Sequence, residues 1–254
     1  MRTIAAMGRA ILVTGASRGI GAAVARLFAE RGDRVAVHYG ANRDRADEVA
    51  ASLLGEGHVV VGADLADPDA VQAMVDAAAA ALGGIDVLVN NAGVFEQHPI
   101  TETTYEEWQR GFRNTLEVNL VGAANVTWCA VQHMREGGGH IVNVASRGAF
   151  RGEPKAPAYG ASKAAIIAFG QSLARALGPF GIAVTSVAPG FTETDMAAEE
   201  LVGEKGELRR AESPLGRVAT PEEVAAAVVY LASPEAVMAS GTVLDVNGAS
   251  FLRM

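Results

Sequence analysis

Short apolar runs alternate along the chain with longer segments rich in alanine, leucine and glutamate. Each run has a length that suits a strand, and several runs are apolar at almost every position. A strand that is apolar throughout is buried on both faces, as in a parallel sheet. The pattern predicts strands at Ala10–Thr14, Arg34–Tyr39, His58–Val61, Ile85–Asn90, His140–Ala145, Ile182–Ala188 and Thr242–Val246.

The segments between these runs have the composition and spacing of helices. Thr220 before Pro221 is a typical helix start, because threonine caps the first turn and proline fits its first position. Gly178 stands where a helix should end. The predicted helices are Ile20–Arg31, Arg43–Leu54, Asp69–Leu82, Thr104–Met134, Tyr159–Leu177 and Pro221–Leu231.

Alternation of strands and helices predicts an α/β fold. We expect a single doubly wound Rossmann-type domain over residues 1–254, with a seven-stranded parallel sheet and helices on both faces. No linker, repeat or low-complexity tract divides the sequence. The least regular stretch, residues 189–214, is polar and only partly helical in pattern, and such segments are often functional.

Composition excludes several classes of protein. A net charge of −8 argues against a general binder of nucleic acid or anionic membranes. The single cysteine, Cys129, excludes an intrachain disulfide framework, and without a cysteine cluster or paired histidines we expect no metal site. Neither a signal-peptide core nor a membrane-spanning run is visible, so we expect a cytoplasmic protein.

The first predicted strand leads through a glycine-rich turn directly into a helix. Gly15 allows the sharp turn, Gly19 leaves room for a pyrophosphate, and Gly21 lets the helix pack close to the strand. The helix N-terminus then offers free N–H groups to phosphates. Alone, three glycines could form a turn without a ligand. In the first βα unit they indicate a dinucleotide site.

The spacing Gly-x-x-x-Gly-x-Gly is where the chain begins to resemble the short-chain dehydrogenase/reductase family. Further matches follow in the order that this family shows, and together they cover nearly the whole chain. They are Asp64-Leu65, Asn90-Asn91-Ala92-Gly93, Asn119, Ser146, the pair Tyr159 and Lys163, and Pro189-Gly190-Phe191-Thr192-Glu193-Thr194.

The resemblance implies a nicotinamide dinucleotide along the carboxyl edge of the sheet. It implies adenine contacts near Asp64 and nicotinamide contacts after the sixth strand. The expected cofactor-binding residues are Gly15, Ser17, Arg18, Gly19, Ile20, Gly21, Tyr39, Asn42, Arg43, Asp64, Leu65, Asn91, Ala92, Gly93, Tyr159, Lys163, Pro189, Gly190, Thr192 and Thr194.

The end of the second strand bears on the choice of nicotinamide cofactor. It lacks the acidic residue that would bind the ribose hydroxyls of NAD and repel a 2′-phosphate. Arg18 and Arg43 could face such a phosphate, although both could instead be solvated arginines at helix ends. We predict a preference for NADP(H), with NAD(H) possible.

Tyr159 and Lys163 are four residues apart, which places them on one face of a helix. The ammonium is expected to lower the phenol pKa from about 10 by roughly 1–3 units, so that the phenol can exchange a proton with a substrate oxygen. Ser146 can donate to the same oxygen. Alone, the Tyr–Lys pair could be a surface pair. With Ser146 and Asn119 it predicts catalysis, and the resemblance implies that Asn119 supports a water-mediated proton path to Lys163.

The predicted activity is that of an NADPH-dependent carbonyl reductase, or the reverse alcohol dehydrogenase, with Tyr159 as general acid/base. The chain looks most like 3-oxoacyl-acyl-carrier-protein reductases, which implies a small-molecule or carrier-linked carbonyl substrate and a homotetramer. Alternatives are an NAD-dependent secondary-alcohol or sugar dehydrogenase of the same family, and a catalytically idle dinucleotide-binding regulator. Related enoyl reductases space Tyr and Lys seven residues apart, which argues against that activity.

Substrate recognition is expected from loops after the fourth, fifth and sixth strands. Arg147 and Arg151 could hold an anionic tail or could be solvated, and Arg135 and Arg175 could bind an acidic carrier. Ala249 replaces a glycine common in the family, which puts the packing of the C-terminal turn in doubt. The candidate pocket walls are Val94, Phe95, His98, Arg147, Phe150, Arg151, Phe191 and Met196.

Overall fold

In the computed structural model, which describes residues 8–134 and 136–253, seven parallel strands form one sheet in the order β3-β2-β1-β4-β5-β6-β7. This confirms the predicted single doubly wound α/β domain. The order reverses between β1 and β4, the place where such sheets open a crevice for ligands. The strands are β1 (Ala10–Val13), β2 (Arg34–Tyr39), β3 (Val59–Gly62), β4 (Val87–Asn90), β5 (Gly139–Val144), β6 (Ile182–Pro189) and β7 (Val243–Val246).

Helices cover both faces of the sheet. The helices are α1 (Gly19–Glu30), α2 (Arg43–Ala51), α3 (Pro68–Leu82), α4 (Tyr105–Leu116), α5 (Ala123–Met134), α6 (Gly148–Arg151), α7 (Pro157–Leu177), α8 (Gly203–Ala211) and α9 (Pro221–Leu231). The predicted start of α9 is confirmed, because Thr220 and Glu223 form a capping box there.

Two apolar layers sandwich the sheet because successive strand residues point to opposite faces. Ile11 and Val13 pack with α1, α2 and α9 on one face. Ala10 and Leu12 pack with α3, α5 and the end of α7 on the other. β1, β4 and β6 are therefore buried along their whole length, which explains their nearly continuous apolar sequence, whereas the edge strands β3 and β7 are only partly buried.

The stretch that was predicted as one helix, Thr104–Met134, is divided by a π-helical turn at Glu117–Gly122. A π turn inserts one residue into the helical ladder and is frequent at functional sites. Asn119 lies in this turn and is 2% exposed. The single-helix prediction is wrong here because the apolar spacing does not reveal a local insertion.

Residues 191–214, which follow β6, form a segment with its own short helices. A 3₁₀ turn at Asp195–Glu200 is followed by α8. A bridge joins Thr192 to Ala219 at the base of the segment. Within residues 8–134 and 136–253, no helix is both long enough and apolar enough to cross a membrane.

The C-terminal turn is ordered despite the alanine that replaces a glycine. Ala249 has φ 60°, a left-handed conformation that is unfavourable for residues other than glycine. Ser213 Oγ donates to the Gly248 carbonyl oxygen at 2.6 Å, and Asn247 Nδ2 donates to the Phe251 carbonyl oxygen at 3.0 Å. Side-chain hydrogen bonds thus hold the turn in place.

Candidate active site

The glycine-rich turn leaves no space for a side chain at its first and last glycines. Gly15 has φ +63°, and a β-carbon there would lie 2.8 Å from the Cα of Ala92. A β-carbon on Gly21 would collide with the Gly15 carbonyl oxygen and lie 2.5 Å from Asn91 Nδ2. Ser17 and Ile20 in this turn are half-buried, and Arg18 is exposed at its rim. The turn therefore depends on glycine for its shape.

The N-terminus of α1 carries no side-chain cap, unlike those of α2, α3, α4 and α9. Its N-cap residue, Arg18, makes no capping hydrogen bond, and no acidic residue stands in the first turn. In contrast, Asp67 caps α3 and Thr104 caps α4. Uncapped amides at the positive end of a helix bind anions. The residues present therefore fit the pyrophosphate of a dinucleotide.

His38 holds this turn through a hydrogen bond to its backbone, a role that we did not predict from the sequence. The side chain is 1% exposed, and its Nδ1 accepts a hydrogen bond from Gly15 N at 3.0 Å. Its Nε2 lies 3.1 Å from the Ala63 carbonyl oxygen, to which it donates when Nδ1 is the acceptor. Burial lowers the pKa of His38 from 6.5, which favours the neutral imidazole that this arrangement requires.

The histidine pKa shifts predict that the protein loses stability in mild acid. Burial lowers the pKa of His38 and of His140, so below pH 6.5 the unfolded chain binds protons that the folded protein does not. The free energy of unfolding should be fully present above pH 6.5 and fall below it, by up to about 1.4 kcal/mol per pH unit for each histidine.

Denaturant titrations between about pH 5 and about pH 8 measure this slope. His38→Gln should make it shallower, because it removes one of the two histidines whose pKa is lowered by burial. A free energy of unfolding that stays constant down to about pH 5 would contradict the expected protonation.

The loop after β4 is bound to the glycine turn by the side chains of Thr14 and Asn91. Thr14 Oγ1 accepts hydrogen bonds from the backbone N of Asn91 and of Ala92, both at 3.0 Å. Asn91 Nδ2 donates to the carbonyl oxygens of Thr14 and Gly15, at 2.9 and 3.1 Å. These bonds fix the position of Gly93, which comes next.

Gly93 joins the cofactor side of the site to the catalytic side. A β-carbon on Gly93 would lie 3.2 Å from Asn119 Oδ1 and 3.4 Å from Lys163 Nζ. Asn119 Oδ1 accepts from Val94 N at 2.8 Å, and Asn119 Nδ2 donates to the Val94 carbonyl oxygen at 3.0 Å. The π turn thus presents Asn119 so that its amide holds the loop beside the lysine.

The predicted catalytic side chains are brought together on β5 and α7. Lys163 is 5% exposed, and its Nζ donates to the Val144 carbonyl oxygen at 2.8 Å. The same Nζ lies 5.6 Å from the centroid of the Tyr159 ring. The Tyr159 ring contacts Phe95 edge to face, with 5.0 Å between centroids. Ser146, just after β5, accepts from Gly148 N at 3.0 Å and hydrogen-bonds to the phenol.

The expectation that Lys163 lowers the pKa of Tyr159 is wrong. Burial raises the pKa of Tyr159 to about 12, and the hydrogen bond with Ser146 offsets only part of this rise. Burial also lowers the pKa of Lys163 to about 8. At neutral pH the phenol is therefore protonated and most of the lysine remains an ammonium. Loss of hydration is the largest cause of both pKa shifts.

At the adenine end, the predicted residues have different surroundings. Tyr39 packs its ring against Gly62. Asn42 caps α2 by accepting from Arg45 N at 3.0 Å. Arg43 pairs with Asp47, with 3.4 Å between Nε and Oδ2. Arg45, which we did not single out, donates to Asp195 at 2.9 Å, as Arg18 does at 3.3 Å. The run of charged residues at the start of α2 was its only signal in the sequence.

Asp64 and Leu65 lie in the loop after β3. Asp64 is exposed and accepts a hydrogen bond from Ala66 N at 3.0 Å. Leu65 is 5% exposed, and a β-carbon on Gly122 would lie 2.7 Å from its Cβ. The side chain of Leu65 therefore packs against the π turn, and its exposed neighbour remains accessible from the sheet edge.

The segment after β6 reaches back to the glycine turn. Pro189 ends β6, and Gly190 N donates to the Val246 carbonyl oxygen at 3.0 Å. Thr192 is buried, and Thr194 Cγ2 would lie 3.2 Å from a β-carbon on Gly19. The two predicted binding segments therefore face each other across the crevice.

Arg147 and Arg151 are neither simple solvated residues nor free cations. Arg147 is 3% exposed, and Glu212 accepts from it at 2.7 Å, from Arg151 at 3.1 Å and from Arg209 at 2.8 Å. Arg147 and Arg209 both stack on Phe191, at 5.3 and 4.8 Å from the ring centroid. These charges tie α8 to the loop after β5, so the proposed role in holding an anionic tail loses its basis.

The remaining candidates for substrate and carrier contacts lie in different surroundings. His98 is 1% exposed and packs against Trp108 and Phe112, so it does not line the crevice. Arg175 is exposed on α7, and Arg135 lies outside the described residues. Across residues 8–134 and 136–253, no three His, Cys, Asp or Glu side chains cluster as metal ligands would.

Comparison with known proteins identifies the family. The family model described as Enoyl-(Acyl carrier protein) reductase matches residues 15–249. The chain is 36% identical to the 3-oxoacyl-acyl-carrier-protein reductase FabG of Vibrio cholerae, over 96% of this chain and 98% of the relative. It is 41% identical to the cis-4-hydroxycyclohexanecarboxylate dehydrogenase of Sinomonas cyclohexanicum, over 94% and 95% of the two chains.

A similar solved structure is a short-chain dehydrogenase from Burkholderia cenocepacia in complex with NADP. It has a TM-score of 0.86 and 38% identity, and the match covers 96% of this chain and 98% of that one. The sequence match, the doubly wound sheet and the assembled Ser–Tyr–Lys site agree with one another. The chain belongs to the short-chain dehydrogenase/reductase family and is an NAD(P)-dependent oxidoreductase acting on CH–OH and C=O groups.

Proposed function

We propose that the protein is an NADPH-dependent carbonyl reductase, or in reverse an alcohol dehydrogenase, with Tyr159 as its general acid/base. One observation carries this proposal. Gly93, in the loop bound to the glycine turn, lies directly against both Asn119 and Lys163. A ligand that extends from the glycine turn past Gly93 therefore arrives beside Tyr159 and Ser146.

A bound nicotinamide dinucleotide supplies the hydride for reduction, or accepts it in the reverse direction. The residues that would hold its pyrophosphate are Gly15, Ser17, Gly19, Ile20 and Gly21, with the free amides of α1. We expect Gly93, Pro189, Gly190, Thr192 and Thr194 to contact the nicotinamide half of the cofactor, as the family resemblance implies.

The phenol and the serine hydroxyl act on the substrate oxygen. Tyr159 is protonated at neutral pH, which is the form that gives a proton to a carbonyl oxygen during reduction. Ser146 donates a hydrogen bond to the same oxygen and stabilises its developing negative charge. Lys163 keeps a positive charge near the phenolate that forms, and Asn119 positions the loop beside it.

The preference for NADP(H) is supported by the charges at the adenine end. β2 ends without an acidic residue, and the guanidinium groups of Arg18 and Arg45 converge beside the loop that follows it. Guanidinium groups bind phosphates in a bidentate manner. The alternative is an NAD-dependent secondary-alcohol or sugar dehydrogenase. The name of the Sinomonas relative, a dehydrogenase of a cyclic hydroxy acid, supports the alcohol part of this alternative.

For the substrate we propose a 3-oxoacyl-type carbonyl compound, either free or linked to a carrier. The similarity to the Vibrio reductase supports this class. Phe95, whose ring contacts Tyr159, supplies apolar surface beside the site. We also propose a homotetramer, because Trp128 on α5 is 64% exposed and would be covered by a second copy; light scattering measures the mass in solution.

NADPH oxidation with a panel of ketones tests this function. The panel contains 3-oxoacyl thioesters, cyclic ketones bearing a carboxylate, and keto sugars, each assayed with NADPH and with NADH. We expect a 3-oxoacyl thioester to be reduced, with kcat/KM about tenfold or more higher for NADPH, since each charge-assisted hydrogen bond to the 2′-phosphate contributes about 1.5–3 kcal/mol. A lower KM for NADH at equal turnover would contradict the cofactor preference.

A further inference from the structure

One carboxylate outside the catalytic group connects two arginines of the proposed cofactor site. Asp195 Oδ2 lies 2.9 Å from Arg45 Nη1 and 3.3 Å from Arg18 Nη1. Hydrogen bonds from Arg45 and Arg18 lower the pKa of this carboxyl below its ordinary value, so it is ionised at neutral pH. Two guanidinium groups thus converge on a single negatively charged oxygen.

The position of this contact indicates which ligand would compete for it. Arg18 stands at the N-terminus of α1, beside the turn that fits a pyrophosphate, and Arg45 lies in the first turn of α2. A phosphate group on the adenosine ribose would meet the same two guanidinium groups. Arg43 does not take part, because it is paired with Asp47. Asp195 is therefore already paired with the two guanidinium groups that a 2′-phosphate would bind.

Asp195 also lies near the start of the 191–214 segment. It is the first residue of the 3₁₀ turn at Asp195–Glu200, directly after Thr194, which packs beside Gly19. The other ion pairs of residues 191–214 join this segment to itself or to the loop after β5, as between Glu200 and Arg209 or between Glu212 and Arg147. In the part of the chain that the structure describes, the ion pairs from this segment to residues 8–62 all involve Asp195.

We propose that Asp195 is a specificity-determining residue that imitates the 2′-phosphate of the cofactor. It pairs with Arg18 and Arg45 and holds the start of the 191–214 segment against the glycine turn. A 2′-phosphorylated dinucleotide displaces it and releases that part of the segment, whereas a dinucleotide without the phosphate leaves it in place. The idea rests on the proposed preference for NADP(H).

Asp195→Asn tests this directly, because it removes the charge and keeps the size of the side chain. The phosphate then no longer competes with a carboxylate. Affinity for NADPH and for adenosine 2′,5′-bisphosphate should rise about three- to tenfold. Affinity for NADH and for adenosine 5′-monophosphate should stay within about twofold, since these ligands do not use the two arginines. Titration calorimetry measures all four.

Asp47→Asn is the matched control. It removes the same charge from the same region, but Asp47 pairs with Arg43 and not with Arg18 or Arg45. We expect it to raise affinity for the 2′-phosphorylated ligands by less than about twofold. Equal gains in the two variants would show that only the general field matters, and would overturn the proposal.

Hydrogen exchange at residues 195–200 supplies a second readout that does not depend on turnover. In the wild type, adenosine 2′,5′-bisphosphate should accelerate exchange there and adenosine 5′-monophosphate should not. In Asp195→Asn, exchange should be fast from the start. Two results would overturn the proposed role of Asp195 and leave the cofactor preference standing. One is wild-type exchange that adenosine 2′,5′-bisphosphate does not change, and the other is an equal rise of NADH and NADPH affinity in Asp195→Asn. A wild type that binds NADH more tightly than NADPH would overturn this role and the cofactor preference together.

Discussion

Replacing Tyr159 with phenylalanine should lower kcat for ketone reduction by about 10²- to 10⁴-fold, the range expected for loss of a general acid. The change removes only the hydroxyl that gives its proton to the substrate oxygen. The ring remains and can still contact Phe95, so affinity for NADPH should stay within about twofold of the wild type. Steady-state kinetics and direct binding of NADPH measure the two effects separately.

Tyr230→Phe is the matched control for this substitution. Tyr230 lies on α9 and is 52% exposed, so removing its hydroxyl should leave both kcat and NADPH affinity unchanged. Ketone reduction at the wild-type rate in Tyr159→Phe would exclude Tyr159 as the acid. A loss of NADPH binding together with turnover would instead mean that the hydroxyl is needed for the fold of the site.

Gly21→Ala should weaken NADPH binding by about 5- to 150-fold, which corresponds to the 1–3 kcal/mol that overpacking typically costs. The added methyl group would collide with the Gly15 carbonyl oxygen and press on the Asn91 amide. Either the turn opens or α1 moves away from β1. Both movements disturb the amides that we propose to hold the pyrophosphate. Titration calorimetry at a temperature where the variant is folded measures the loss.

Gly178→Ala is the control for the added methyl group. At Gly178 no heavy atom lies within 4 Å of the new carbon, and the backbone has an ordinary φ of −51°. Its NADPH affinity should match that of the wild type. If Gly21→Ala also binds NADPH as the wild type does, the glycine turn does not hold the cofactor as proposed.

The sheet was predictable because burial on both faces leaves a nearly continuous apolar strand in the sequence. Ile11 and Leu12 are neighbours in β1 and both are fully buried, on opposite sides. The π turn at Asn119 was not predictable from periodicity, because one inserted residue barely changes the apolar spacing of a long helix. The hydrogen bonds of Asn119 with Val94, which show what the turn positions, are visible only in the folded structure.

The candidate site was likewise predictable only in part. Tyr159 and Lys163 could be paired from their spacing, since i and i+4 share a helix face. The direction of the Tyr159 pKa shift could not, because it depends on how much water the fold excludes. Contacts between distant segments were equally hidden: His38 beneath Gly15 and Asp195 on Arg18 join residues that are far apart in the chain.

The central claim is that this site passes a hydride between a nicotinamide and a carbonyl carbon while Tyr159 passes the proton. Mass spectrometry of the alcohol product tests it most directly, using NADPH deuterated at both C4 positions and, separately, ordinary NADPH in heavy water. The account predicts one deuterium on the carbinol carbon from the labelled cofactor and none there from the solvent. Deuterium on that carbon from heavy water, or none from the cofactor, would contradict it.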